Sequence, residues 1–199
     1  KLSKHIDIRK ITAKDGSTYK NLSFPMYIPG QPDKCVGLEE RGYPRKDGSA
    51  RKGMATGTNA SEGLWMASPK NTALQDARIV LVFESAYDAM AFYQLQMRKE
   101  SGLDQRGRQD LKAGVYVSTG GNPSYGQIQG LLKAAPQATF HLGFDKDVAG
   151  KQFVANFEDI ASKQSPVAPG NVPADMREFM ESFDKQPKTI KEMLSSNDE

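Results

Sequence analysis

Three short apolar runs, each followed by a polar cluster and then by helical periodicity, constrain this chain more than any other feature. The runs are Ile79-Val80-Leu81-Val82-Phe83, Gly114 to Val117, and Thr139 to Phe144. A continuous apolar run of this length reads as a strand buried on both faces, as in a parallel sheet. Glu84 ends the first run, Ser118-Thr119-Gly120-Gly121 follows the second, and Asp145-Lys146-Asp147 follows the third. Helix signals come next each time. Ser85-x-x-Asp88 and Ser124-x-x-Gln127 have capping-box spacing. Met90, Phe92, Tyr93 and Met97 follow the first cap; Ile128, Leu131 and Leu132 follow the second. Phe153, Phe157 and Ile160 recur at helical spacing after the third run.

This alternation predicts an α/β domain over residues 72–163, with a parallel sheet flanked by helices. Right-handed crossovers place every strand's C-terminal end on one edge, where open α/β sheets hold their ligands. Glu84, the 118–121 loop and the Asp145/Asp147 pair are therefore expected to converge.

Residues 1–71 read as a small β-rich subdomain. Asp15-Gly16 is a hairpin signal between Ile6, Ile8 and Ile11 and the run Tyr19 to Ile28. Cys35 to Glu39 forms a third run, and Gly63-Leu64-Trp65-Met66 reads as a buried anchor. Residues 164–199 read as a linker with Ser165, Pro166, Pro169, Gly170 and Pro173, followed by short amphipathic helices near 176–183 and 189–194.

The 199 residues carry a net charge of only +3, unevenly spread. Between positions 41 and 52 stand Arg41, Arg45, Lys46, Arg51 and Lys52 against Asp47 alone. Such a stretch is either a solvated loop or a face turned toward an anionic partner. One cysteine, Cys35, and two histidines, His5 and His141, exclude an internal disulfide and a Cys/His zinc site. The longest apolar run is too short for a bilayer span, so no membrane partner is expected. The chain opens on Lys1, reads as a piece of a longer protein, and its cysteine usage fits the cytoplasm.

Three carboxylates on one edge repel one another, and a bound cation offsets that repulsion. Oxygen-only ligands favour Mg²⁺, with Mn²⁺ as the alternative, and such an ion suits phosphoryl or nucleotidyl transfer. Each residue also has a plain structural reading. Glu84 could cap a helix or pair with an arginine. Asp88 could complete its capping box, and Asp145 and Asp147 could form a turn and an N-cap. Backbone N–H groups of Ser118, Thr119 and Gly120 could contact phosphate or simply close a turn. Lys146 and Lys151 could steer phosphates or balance charge. His141 and Cys35 read as core residues, and Trp65 as a packing anchor.

Taken together, Phe83-Glu84-Ser85-x-x-Asp88-Ala89 resembles the first motif of Toprim domains, and Phe144-Asp145-Lys146-Asp147-x-Ala149-Gly150 resembles the second. Val117 to Gly121 stands where that family has its middle strand and loop. Upstream, Phe24-Pro25-Met26-Tyr27 and Val36-Gly37-Leu38-Glu39-x-Arg41 are similar to the small subdomain that precedes Toprim in bacterial primases. The resemblance implies that Glu84, Asp145 and Asp147 bind Mg²⁺ and serve catalysis, with Asp88 as an accessory ligand. It also implies that Arg41, Arg51 and Lys52 face template or nucleotide. Ser85 stands where primases carry Gly, and their Asn-Ser-Pro-Glu-Thr stretch has no counterpart around 58–62. The function expected on this basis is a primase-like nucleotidyltransferase of a bacterial mobile element. It would act in replication on single-stranded DNA with nucleoside triphosphates. A Toprim nuclease and a non-catalytic nucleic-acid-binding module are the alternatives. Phe144-Asp145-x-Asp147-Val148 also resembles the nucleophile motif of haloacid-dehalogenase-like phosphatases, although too little chain follows it for that domain.

Overall fold

A computed structural model describes residues 2–12, 15–42, 51–98 and 101–164. The expected linker and C-terminal helices in 165–199 lie outside the described residues, as do Arg45 and Lys46. Five strands open the chain: β1 (Asp7–Thr12), β2 (Thr18–Ile28), β3 (Gln31–Gly42), β4 (Arg51–Met54) and β5 (Leu64–Ala67). The remainder alternates: β6 (Ile79–Phe83), α1 (Ala86–Gln96), α2 (Gln105–Ala113), β7 (Val115–Ser118), α3 (Tyr125–Ala134), β8 (Thr139–Gly143) and α4 (Val148–Gln164).

The three apolar runs form the parallel part of the sheet, as their composition predicts. β6 lies between β7 and β8 and is parallel to both. The antiparallel strands continue the same sheet in the order β4-β3-β2-β5-β7, with β1 also beside β2. The join is β5, whose Trp65, Met66 and Ala67 pair with Ser118, Val117 and Tyr116. The N-terminal strands thus reach the C-terminal end of β7.

Alternation along the strands builds two apolar layers. Val80, Val82, Val115 and Val117 pack with Ile128 and Leu131 of α3 and with Phe157 and Ile160 of α4. On the other face, Phe83 meets Phe92 of α1, and Tyr116 meets both Phe92 and Tyr93. Burying each such side chain contributes about 1.5–3 kcal/mol. The helix caps are local. Ser124 and Gln127 close a reciprocal capping box on α3, and the Ser85 hydroxyl accepts the Asp88 N–H on α1. Trp65 is buried as an anchor, donating its indole N–H to the His5 carbonyl at 2.9 Å and meeting Phe24 edge-on.

Two local expectations give way. Cys35 is exposed on β3 instead of lying in the core, because the first five residues of that strand are all exposed. α2 has no counterpart among the expected helices; its sequence, Gln-Arg-Gly-Arg-Gln-Asp-Leu-Lys-Ala, buries only Leu111 and carries no apolar stripe. Among the described residues, no helix is long and apolar enough to cross a membrane.

Candidate functional site

Glu84 leaves the end of β6 and Asp145 leaves the neighbouring end of β8. A Glu84 carboxylate oxygen accepts the Asp145 backbone N–H at 3.2 Å. The strand order makes this meeting. The chain steps from β6 to β7 on one side and then returns to β8 on the other, so the strand order reverses between the ends of β6 and β8, the place where open α/β sheets hold ligands. Glu84 is half-buried there, while Asp145, Lys146, Asp147 and Asp88 are exposed.

Burial pushes the Glu84 carboxyl above its ordinary value, and the negative charges of Asp145, Asp147 and Asp88 push the same way. The Asp145 N–H opposes them. The three aspartates therefore all bear on Glu84. They do not form a closed cage: among the described residues, no group of three His, Cys, Asp or Glu side chains is gathered as a metal-binding cluster. Asp147 accepts the Gly150 N–H at 2.8 Å and so caps α4, while Asp88 accepts the Ser85 hydroxyl. The plain structural reading of these two aspartates thus has a physical basis, and it leaves each with a second carboxylate oxygen. Mg²⁺ usually keeps several waters and takes only one or two carboxylates, so this hard, oxygen-only donor set fits it.

Gly150 holds this arrangement tight. A Cβ at that position would collide with the Asp145 carbonyl, so only glycine lets α4 start against the Asp145 backbone.

The 118–121 loop wraps the Glu84 backbone. Thr119 donates its N–H to the Phe83 carbonyl at 3.1 Å, and Gly121 donates to the Glu84 carbonyl at 2.8 Å. The Gly120 N–H goes to the Ser118 hydroxyl at 3.1 Å. Gly120 and Gly121 have φ of 72° and 129°, conformations that suit glycine. The donors that could meet phosphate are thus spent inside the chain, and Ser118 and Thr119 are buried.

Of the basic residues, Arg41 and Lys52 are cross-strand neighbours on β3 and β4, and Arg51 lies opposite Gly42. Lys52 is exposed, and the Arg51 side chain lies outside the described residues. Arg41 is largely covered. Its guanidinium stands 2.8 Å from Glu39 and 5.9 Å from the Tyr87 ring centre.

Glu39 is the residue whose role in the site the sequence alone does not reveal. It is a carboxylate only 2% exposed, opposite Phe24 of β2. One of its oxygens accepts the Ser118 hydroxyl at 3.1 Å. Arg41 approaches the other without a well-directed hydrogen bond. Burial pushes this carboxyl up, while Arg41, the Ser118 hydroxyl and the Ala86 N–H pull it down. The available signal is the two-residue spacing of Glu39 and Arg41, which puts an acid and a base on one face of a strand.

A family model described as Toprim-like matches residues 81–179. No curated protein matches the chain. Among solved structures, the chain is similar to the Aquifex aeolicus primase (zinc binding and RNA polymerase domains), at 13% identity and a TM-score of 0.46. The similarity covers 80% of this chain and 36% of that one.

Proposed function

This chain carries a Toprim-like domain, and on that premise we propose that its acidic edge supports metal-dependent phosphoryl or nucleotidyl transfer on nucleic acid. The observation that carries the reading is the Glu84 carboxylate bridging to Asp145 while the charges of Asp145, Asp147 and Asp88 all bear on it. On this reading a divalent cation would offset the negative charge that the aspartates impose on Glu84.

Glu84, Asp145 and Asp147 would hold Mg²⁺, or Mn²⁺ in its place, with Asp88 as an accessory. Bound there, the ion would supply charge neutralisation for phosphate oxygens. A carboxylate of this edge left off the ion would be placed to accept the proton of an attacking hydroxyl. Arg41 and Lys52 are the basic side chains that would gather phosphates, with Arg51 beside them in register and Lys146 between the two aspartates. The Ser118, Thr119 and Gly120 loop serves the site indirectly, by shaping the backbone at Glu84.

The substrate in this reading is DNA, in single-stranded form, with nucleoside triphosphates as the donors. Incubating the chain with a single-stranded template, labelled nucleotides and Mg²⁺ or Mn²⁺ tests it. Metal-dependent incorporation that disappears in Asp145→Ala is the expected result. Equal incorporation by wild type and variant would refute the site. Metal-dependent nicking without nucleotides would instead assign the same carboxylates to hydrolysis.

A further inference from the structure

We propose that Glu39 is a positioning residue that holds the Arg41 guanidinium and the 118–121 loop in register with the acidic edge. The proposal rests on the reading of that edge as a nucleic-acid site.

Glu39 sits where three elements meet. Arg41 follows it by two residues on β3, Ser118 ends β7, and Ala86 begins α1. One carboxylate oxygen takes the Ser118 hydroxyl and the other faces Arg41. The Ala86 N–H also acts on the carboxylate, so Glu39 stands at the positive end of α1, the helix that follows Glu84.

An ion pair this deeply buried is seldom the cheapest way to hold strands together, since apolar residues of similar size often do as well or better. It does something an apolar contact does not. Glu39 engages one guanidinium nitrogen of Arg41, and the guanidinium carbon lies over the Tyr87 ring, 5.9 Å from its centre. Two partners on different elements thus fix the arginine's orientation. An arginine held in this way needs less ordering to grip a phosphate with the donors that remain. Lys52, opposite Arg41 in the β3–β4 register, extends the same basic face.

The second arm of Glu39 reaches the carboxylate edge. Ser118 passes the constraint on by accepting the Gly120 N–H, and Gly121 then donates to the Glu84 carbonyl. A continuous set of contacts therefore runs from Arg41 through Glu39 and Ser118 to the backbone of Glu84.

A double-mutant cycle on the full chain tests this, using a fluorescein-labelled oligo-dT as probe, with MgCl2, across a salt series. Glu39→Gln keeps the size of the side chain and removes its charge. It is expected to weaken binding by about tenfold. Arg41→Gln is expected to weaken binding and lower the salt slope by about one. If Glu39 acts through Arg41, the double variant binds no worse than Arg41→Gln alone.

Glu39→Gln binding as tightly as wild type overturns the proposal. So does an equal loss with and without Arg41, which would make Glu39 a packing residue only. Should Glu39→Gln melt below the assay temperature, Glu39→Asp takes its place. Its carboxylate is too short to span Arg41 and Ser118 together, and the same non-additivity is required of it. A wild-type chain that ignores the oligonucleotide overturns the functional reading as well. Binding by wild type that is unchanged in the Glu39 variants overturns this inference alone.

Discussion

The Glu84 carboxylate accepts the backbone N–H of Asp145 at 3.2 Å, joining two residues 61 positions apart at neighbouring strand ends. One carboxylate is thereby steered toward the segment that carries two more. A single N–H donor offsets little of the resulting charge. The acidic edge thus has a definite response to pH, and on the proposed reading a cation would offset its charge.

Glu84 provides the first test. Burial, followed by the neighbouring aspartates, raises its carboxyl above the ordinary 4.5. In the pH window just above that value the folded chain holds a proton that the unfolded chain has released. Stability therefore falls as pH rises through the window, the reverse of the usual salt-bridged carboxylate. Glu39 acts with the same sign, so comparison with Glu84→Gln isolates Glu84. In urea unfolding between about pH 4 and about pH 7, the variant should lose less stability than wild type. A divalent cation must displace the same proton. The rise in melting temperature on adding MgCl2 should therefore be larger at about pH 7.5 than at about pH 5, and absent in Glu84→Gln. A Mg²⁺ effect that ignores pH or survives the substitution would contradict this.

Gly150 provides the second. An alanine Cβ there meets the Asp145 carbonyl, so α4 or the 145–147 segment must shift. Gly150→Ala should cost about 1–3 kcal/mol, as overpacking does, although alanine is normally the better helix residue. The same shift should blunt the Mg²⁺-induced rise in melting temperature. A variant as stable as wild type, with its Mg²⁺ response intact, would show that the close approach is dispensable.

His141 provides the third, away from the acidic edge. It is buried in β8 beside Leu81 of β6, and burial lowers its affinity for a proton below the ordinary 6.5. As pH falls through that value the unfolded chain takes up a proton that the folded chain resists, so stability is lost toward acid. His141→Leu should flatten the fall between about pH 7.5 and about pH 5.5. Parallel wild-type and variant curves would show that His141 does not drive the acid response.

Much of the Toprim-like part was legible in the chain because its signals are local. The valines of β6 and β7, the Ser85 and Ser124 caps and the spacing of Phe153, Phe157 and Ile160 each act within one or two turns or along one strand. α2 is not marked in the sequence because its single buried leucine stands among polar and charged residues, too few apolar positions to signal a buried face. Cys35 is exposed because a small apolar residue is buried only if something packs over it.

Residue types alone therefore determined that three strands would end in carboxylates or small polar residues, and that those carboxylates could serve a hard cation. Only the tertiary structure decided that β6 stands between β7 and β8, bringing Glu84 to Asp145. It also decided that Asp147 and Asp88 are shared with helix caps, and that Glu39 reaches Ser118 across 79 residues of sequence. The physical reason is that alternation and capping follow from bonds within a few residues. Which strand ends lie side by side depends on how the whole sheet closes over its two apolar layers.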